Sequence, residues 1–217
     1  REGEPLVQFY GYEIDHSMGE NGEVARDQLE NPYYPIDVES AYVYVKDQNG
    51  DGVINEDDRV VLGSPYSDFD WSIINNFAFK NFDLSFMVQG SHGAEIYNVD
   101  SYYFETGWKG GYVDGVDNKD FLVSKIITDY NVQSASYVTL RNLMFGYTLP
   151  KHLTNKWNID KARVYFTGYN LLYFMADDYT GLNPEGVNRY DETLTWGYQR
   201  GALPVERSYC VGLELKF

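Results

Sequence analysis

The last eleven residues of the chain, 207–217, read R-S-Y-C-V-G-L-E-L-K-F and alternate in polarity. Apolar and polar side chains repeat every two residues, which predicts a β-strand with one apolar and one polar face. In a soluble sandwich the apolar face would meet a second sheet. In an outer-membrane barrel it would meet lipid, and the polar face would line the lumen. The terminal Phe217 favours the barrel, because such a barrel's last strand ends on an aromatic residue, here expected at the periplasmic rim.

Five further segments carry strand patterns, which makes six strands with the last one. They are 8–16, 69–79, 82–89, 137–149 and 163–174. Segment 38–46 also looks extended. The sequence predicts a tight hairpin at Lys80 and Asn81, with Asn81 in the positive-φ conformation that such a turn requires. A short helical turn is expected over 151–157.

The connections between these strands alternate in length. The turn at 80–81 and the connection 150–160 are short, whereas 17–68, 91–134 and 177–206 are long. If the last strand descends to the periplasm, every short connection is periplasmic and every long one is extracellular. Outer-membrane barrels have this asymmetry, and a soluble Greek-key fold has no reason to show it.

Composition narrows the class of protein further. A mean hydropathy of −0.46 argues against a bundle of membrane helices. Aromatic residues make up 17% of the chain, as aromatic girdles and sugar-contacting loops require. The net charge of −16 disfavours nucleic acid or an anionic lipid as the partner. The single cysteine, Cys210, allows no internal disulfide.

Segment 47–58, D-Q-N-G-D-G-V-I-N-E-D-D, fits the pattern of a calcium-binding loop. A hard cation is wrapped by oxygen atoms, and the spacing offers side chains at loop positions one, three, five and twelve and a carbonyl at seven. The candidate ligands are Asp47, Asn49, Asp51, Val53 and Asp58. Asp58 replaces the usual Glu at position twelve, and no helix clearly precedes Asp47. An Asx-rich turn without metal is the alternative.

A succession of blocks along nearly the whole chain resembles the C-terminal part of SusC/RagA-type TonB-dependent outer-membrane transporters. Their order and spacing are more specific than any one block. The blocks are F-Y-G-Y (9–12), D-Q-N-G-D-G-V-I (47–54), D-D-R-V-V-L-G-S-P (57–65), F-K-N-F-D-L-S (79–85), Y-V-T-L-R-N-L-M-F-G-Y-T-L-P (137–150), R-V-Y-F-T-G-Y-N-L (163–171) and Y-T-G-L-N-P-E (179–185).

This resemblance implies an all-β fold, with residues 1–217 forming about six antiparallel transmembrane strands of a larger, 22-stranded barrel. The remaining strands and the plug domain lie outside this chain, because six strands cannot close a barrel of that size. The implied partners are a SusD-like surface lipoprotein, the TonB complex acting through the plug, and outer-membrane lipid. The implied ligand is an oligosaccharide or a peptide, and the location is the outer membrane of a Gram-negative bacterium.

Aromatic residues in the long connections are the candidates for contact with ligand or partner, because flat rings stack on sugars and anchor interfaces. They are Tyr102, Tyr103, Trp108, Trp196 and Tyr198. The competing interpretation is that most of them pack the long connections against each other or against a lipoprotein lid. Trp71 and Trp157 are expected in the barrel wall and its interfacial belts.

Two other classes of protein remain to be weighed. A secreted all-β carbohydrate-binding module could use the same calcium loop and aromatic residues, although it would have to explain Phe217 and the asymmetric connections. An enzyme is disfavoured, because the three histidines are scattered and no H-E-x-x-H, G-x-S-x-G or phosphate-binding glycine motif occurs.

Overall fold

The computed structural model describes residues 5, 7–14, 45–52, 55–99, 127–186 and 196–217. These residues divide between two compact units. The sheet unit comprises 68–92, 136–176 and 204–217, and the loop unit comprises 1–67, 93–135 and 177–203. The described parts of the long connections predicted from sequence therefore belong mainly to a unit separate from the sheet.

The sheet unit is built on five antiparallel strands. They are β3 (Phe69–Phe79), β4 (Phe82–His92), β7 (Tyr137–Thr148), β8 (Lys161–Met175) and β10 (Ser208–Lys216). Their order across the sheet is β10-β8-β7-β4-β3, so β3 and β10 are the edges within the described part of the chain. Both short connections join strands at one end of this sheet, and the long connections leave from the other end. The sheet is not closed into a barrel by these strands alone.

The hairpin between β3 and β4 has the predicted two-residue turn, with Phe79 paired to Phe82. The prediction that Asn81 takes positive φ is wrong, because Lys80 does so, at 53°. Asn81 instead hydrogen-bonds to the end of β7. Its side-chain amide donates to the Thr148 carbonyl at 2.8 Å, and its own carbonyl accepts from the Thr148 amide at 2.8 Å.

The connection between β7 and β8 contains the predicted helical turn. Helix α1 (Lys151–Thr154) continues into a 3-10 turn, Asn155–Trp157. Pro150 is the N-cap residue before the helix, where its missing N–H leaves no helical hydrogen bond unmade. Asn158 ends the turn in the left-handed conformation at φ 54°. No helix among the residues described is long and apolar enough to cross a membrane.

The loop unit contains two small sheets and further 3-10 turns, Glu56–Asp58 and Asp129–Asn131. Strand β1 (Phe9–Gly11) pairs with β2 (Val60–Gly63), and β5 (Glu95–Asn98) lies between β6 (Val132–Ser134) and β9 (Tyr198–Gln199). The first predicted strand, 8–16, is therefore only three residues long and does not join the five-stranded sheet. Its apolar residues Phe9, Tyr12 and Ile14 are instead buried.

Candidate functional site

The strand register sorts the side chains of the large sheet onto two unlike faces. The apolar face carries Phe69, Trp71, Ile73, Phe77, Phe79, Phe82, Leu84, Phe86, Val88, Val138, Leu140, Leu143, Phe145, Tyr147, Val164, Phe166, Leu172, Phe174, Tyr209, Val211, Leu213 and Leu215. The polar face carries Asp70, Ser72, Asn76, Asp83, Ser85, Gln89, Thr139, Asn142, Arg163, Thr167, Ser208, Cys210 and Glu214.

The apolar face is uncovered in the structure. Val211 is 75% exposed, Phe79 69% and Leu213 61%, and no second sheet packs on them within the described residues. The alternating strand patterns predict seven outward side chains, and all seven lie on this face: Phe77, Phe79, Leu84, Phe86, Val211, Leu213 and Leu215. A soluble sandwich would bury such a face against its other sheet, whereas an outer-membrane barrel turns it toward lipid.

An ion pair on the polar face links β4 and β8, which are not neighbours in the sheet. The Arg163 guanidinium donates to both carboxylate oxygens of Asp83, at 3.1 and 2.6 Å, across the intervening strand β7. Glu214 lies 3.7 Å from the same guanidinium. Arg163 also lies over the Tyr165 ring, 5.1 Å from its centroid. Charge-assisted, two-point pairs of this kind fix geometry as well as adding energy.

A second polar network on the sheet is centred on a β-bulge. The register of β7 shifts between Leu140 and Asn142 against β8, which leaves Arg141 out of the pairing. Its guanidinium donates to the Gln89 side chain at 3.1 Å and to the Asn170 side chain at 3.1 Å. The bulge therefore links β4, β7 and β8 through one arginine, as bulges often do when they redirect a side chain.

The described part of the predicted calcium loop is a hydrogen-bonded turn. The Asp47 carboxylate accepts from the Gly50 and Gly52 amides at 2.6 and 2.7 Å, and the Asn49 side chain accepts from the Asp51 amide at 2.8 Å. The bond from Gly52 is the main reason that the pKa of Asp47 is lowered from its ordinary value. Gly50 and Gly52 have φ of 75° and 82°, which a residue with a side chain adopts only with strain.

Asp58 is the buried anchor of this loop. Its two carboxylate oxygens accept from the amides of Gln48 and Asn55, at 2.9 and 2.7 Å. Val53 lies outside the described residues, and among those described no three His, Cys, Asp or Glu side chains are grouped to hold a metal ion. The carboxylates keep lone pairs that a cation could use. The calcium site stays a prediction.

Tyr198 lies in an aromatic cluster in the loop unit. Its ring centroid is 5.1 Å from that of Tyr97 and 6.1 Å from that of Phe9. Burial raises the pKa of both tyrosines above the ordinary value. The structure thus gives Tyr198 a packing role. Trp196 is 41% exposed on the same unit, and Tyr102, Tyr103 and Trp108 lie outside the described residues.

A buried polar network next to this cluster was not predicted. Gln199 is fully buried, accepts from the Tyr179 hydroxyl at 2.7 Å and donates to the Asn183 carbonyl at 2.5 Å. Gly181 passes so close to Tyr179 and Gln199 that a side chain there would collide with them. The block Y-T-G-L-N-P-E (179–185) was the available signal. That block by itself does not indicate a turn closed by a distant glutamine.

Comparisons with known proteins agree with this geometry. No family model matches the chain. The chain is 33% identical over 233 residues to TonB-dependent receptor P3 of Formosa agariphila, covering 100% of this chain and 23% of that protein. It is 30% identical over 190 residues to TonB-dependent receptor P26 of the same organism, covering 79% and 19%. TonB-dependent receptor SusC of Bacteroides thetaiotaomicron is 23% identical over 186 residues, covering 79% and 17%.

Solved structures show the same fold. The RagAB peptide importer in its open-open state matches with a TM-score of 0.62 at 21% identity, covering 97% of this chain and 22% of that one. An antiparallel sheet with one uncovered apolar face and one polar face, in this fold, defines part of the wall of an outer-membrane β-barrel. The chain therefore resembles part of a SusC/RagA-type TonB-dependent transporter, and its sequence relatives are named TonB-dependent receptors. It spans about a fifth of the length of the relatives it matches.

Proposed function

We propose that this chain forms the C-terminal part of the barrel of an active nutrient importer in the outer membrane of a Gram-negative bacterium. The observation that carries this proposal is the five-stranded sheet with an uncovered apolar face, in a chain whose relatives are named TonB-dependent receptors. In the whole protein, further strands close the barrel, a plug fills it, and the TonB complex acts through that plug.

The proposed ligand is an oligosaccharide or a peptide, captured together with a SusD-like surface lipoprotein. A structural relative is named a peptide importer, which supports the peptide. The aromatic connections support either ligand, since tyrosine and tryptophan rings stack on sugars and also anchor protein interfaces. Uptake of labelled peptides and oligosaccharides by cells producing the full-length protein would identify the class.

The alternative, a secreted carbohydrate-binding module, is supported less well. Such a module would keep its apolar residues inside a sandwich, but Val211 and Phe79 are among the most exposed side chains described. Transport is also the activity that relatives' names indicate, and none of those names is that of an enzyme.

Trp196 is the described residue best suited to contact a ligand or the lipoprotein, since it is an exposed ring in a long connection. In the full-length protein we expect Trp196→Ala to weaken co-purification of the lipoprotein or uptake of ligand. Trp157→Ala is the matched control, because Trp157 is 64% exposed but lies in the short turn after β7. Equal effects of the two substitutions would argue against a specific role for Trp196.

Deletion of residues 101–112 tests the other candidates, Tyr102, Tyr103 and Trp108, and leaves Tyr97 in its cluster. We expect this deletion to reduce lipoprotein co-purification and substrate uptake while the barrel still assembles. Unchanged co-purification and uptake would refute a role for the segment. Uptake should also stop when the proton gradient is dissipated, and uptake that persisted would indicate a passive pore.

A further inference from the structure

A cavity of about 370 Å³ opens on the large sheet where its strands meet the long connections. It lies among the start of β3, the end of β4, the start of β7 and the end of β8, so four strands contribute to it. Its volume falls within the range of roughly 300–1,000 Å³ that is usual for sites binding small molecules. No residue of the loop unit lines it.

The walls of the cavity belong mainly to the apolar face. Phe69, Trp71, Val138 and Phe174 line it, and the register places all four on that face. Phe69 and Phe174 are 54% and 64% exposed, so their rings remain accessible in the lining of the cavity. An apolar ligand would gain contact area here that a flat sheet does not offer.

A missing side chain shapes one side of the cavity. Gly90 pairs with Trp71 on one neighbouring strand and with Val138 on the other. A Cβ atom on Gly90 would lie 2.6 Å from the Trp71 indole, so the indole lies directly against the β4 backbone. The Trp71 indole therefore packs flat against the sheet and bounds one side of the cavity.

The rim of the cavity is polar. The exposed imidazole of His92 lies beside the Phe69 ring, with 5.4 Å between the ring centroids, and Ser136 also contributes to the lining. An apolar cavity with hydrogen-bonding groups at its mouth fits an amphiphile, with its chain inside and its head group at the rim. In an outer-membrane barrel the apolar band gives way to the interface toward the strand ends, and a membrane lipid has the same change of polarity there.

We propose that this cavity binds one acyl chain of a membrane lipid and holds that lipid on the outer wall of the barrel. The occupant follows from the surface around the cavity, because the apolar face of such a barrel is solvated by lipid. This inference rests on the placement of that face in the membrane, and it goes beyond the proposed transport function.

The test uses the full-length transporter in detergent and native mass spectrometry as the readout. The added probe is lipopolysaccharide, because the cavity lies at the end of the sheet that carries the long, proposed extracellular connections. We expect the unmodified protein to retain one lipid after the detergent is removed. Val138→Trp, which fills the cavity, should lower that retention at least about fivefold. Leu213→Trp is the matched control, since Leu213 lies on the same face but does not line the cavity.

Phe174→Ala provides a second variant if Val138→Trp does not assemble, because it removes an exposed wall without adding volume. It should also lower retention. Equal retention by the unmodified protein and the cavity variants, or retention of detergent alone, would overturn the proposal. If the apolar face does not lie in the membrane, the Leu213→Arg variant should assemble normally. That result would distinguish a wrong membrane placement from the absence of a lipid site.

Discussion

Arg163 and Asp83 form a two-point ion pair across strand β7, directly above Gly146. A Cβ atom at Gly146 would lie 2.5 Å from the Asp83 carboxylate oxygens and 2.6 Å from Arg163 Nη2. The glycine therefore lets the side chains of β4 and β8 meet over the strand between them. The Arg163 side chain is only 15% exposed, so the pair is shielded from solvent more than an ordinary surface pair.

Gly146→Ala should destabilise the barrel by about 1–3 kcal/mol, because the new methyl group separates the two charged side chains. The measurement is denaturant unfolding of the full-length protein in lipid vesicles. Asp83→Asn serves as the control in a double-mutant cycle, since it removes the charge and keeps the shape. If the two effects simply add, the glycine does not act through the ion pair.

Leu213→Arg should cost about 2–4 kcal/mol if Leu213 lies near the bilayer midplane, because the charge is placed against hydrocarbon. Assembly into the outer membrane and denaturant unfolding in vesicles both report this loss. Cys210→Arg is the matched control, because Cys210 is exposed on the polar face of the same strand. Equal tolerance of the two substitutions would contradict the assignment of the faces.

Calcium should bind the loop 47–58 with ligand distances of roughly 2.3–2.6 Å. In calorimetry at millimolar calcium, we expect Asp51→Asn to weaken binding because it removes a ligand charge. Asp57→Asn should leave it unchanged, since Asp57 is equally exposed but is not one of the proposed ligands. If the unmodified protein gives no binding heat, the loop binds no calcium, and the interpretation as a hydrogen-bonded Asx turn without metal remains.

Tyr198→Phe should extend the stability of the loop unit to higher pH. Burial raises the pKa of Tyr198, so its neutral form is favoured in the folded state. This stabilisation is fully present below the ordinary pKa of 10.0 and is lost as the pH rises through the folded value. Phenylalanine keeps the packing against Phe9 and Tyr97 and cannot ionise.

The measurement is near-ultraviolet circular dichroism of the full-length protein as the pH is raised. The expected result is an unfolding midpoint at higher pH for Tyr198→Phe than for the unmodified protein. Tyr66→Phe, at an exposed tyrosine of the same unit, should not shift the midpoint. A shift of the same size in both variants would mean that the burial of Tyr198 is not responsible.

Much of the large sheet could be predicted from local pattern. The alternation in 207–217 placed Val211, Leu213 and Leu215 on one face, and the structure confirms it. The hairpin at 80–81 and the helical turn after Pro150 were also correct. These features depend on residues close in sequence, and a two-residue period leaves only one choice of face for each side chain.

The position of the first strand could not be predicted in the same way. Phe9 alternates with its neighbours as a barrel strand would, but its partners are Tyr97 and Tyr198, which come from distant connections. Tyr198 is half-buried in this cluster, and its predicted contact with a ligand or partner stays a prediction. Periodicity records which side of a strand is apolar, and it does not record what covers that side.

The sequence by itself determined the alternating strands, their short and long connections, and hence the two faces of the sheet, because each depends on local spacing. Only the tertiary structure decided which distant residues meet. It pairs Asp83 with Arg163 over Gly146 and hydrogen-bonds Gln199 to Tyr179. It also packs Trp71 against Gly90 beside the cavity. These contacts follow from strand order and register, which bring together residues that are far apart in the chain.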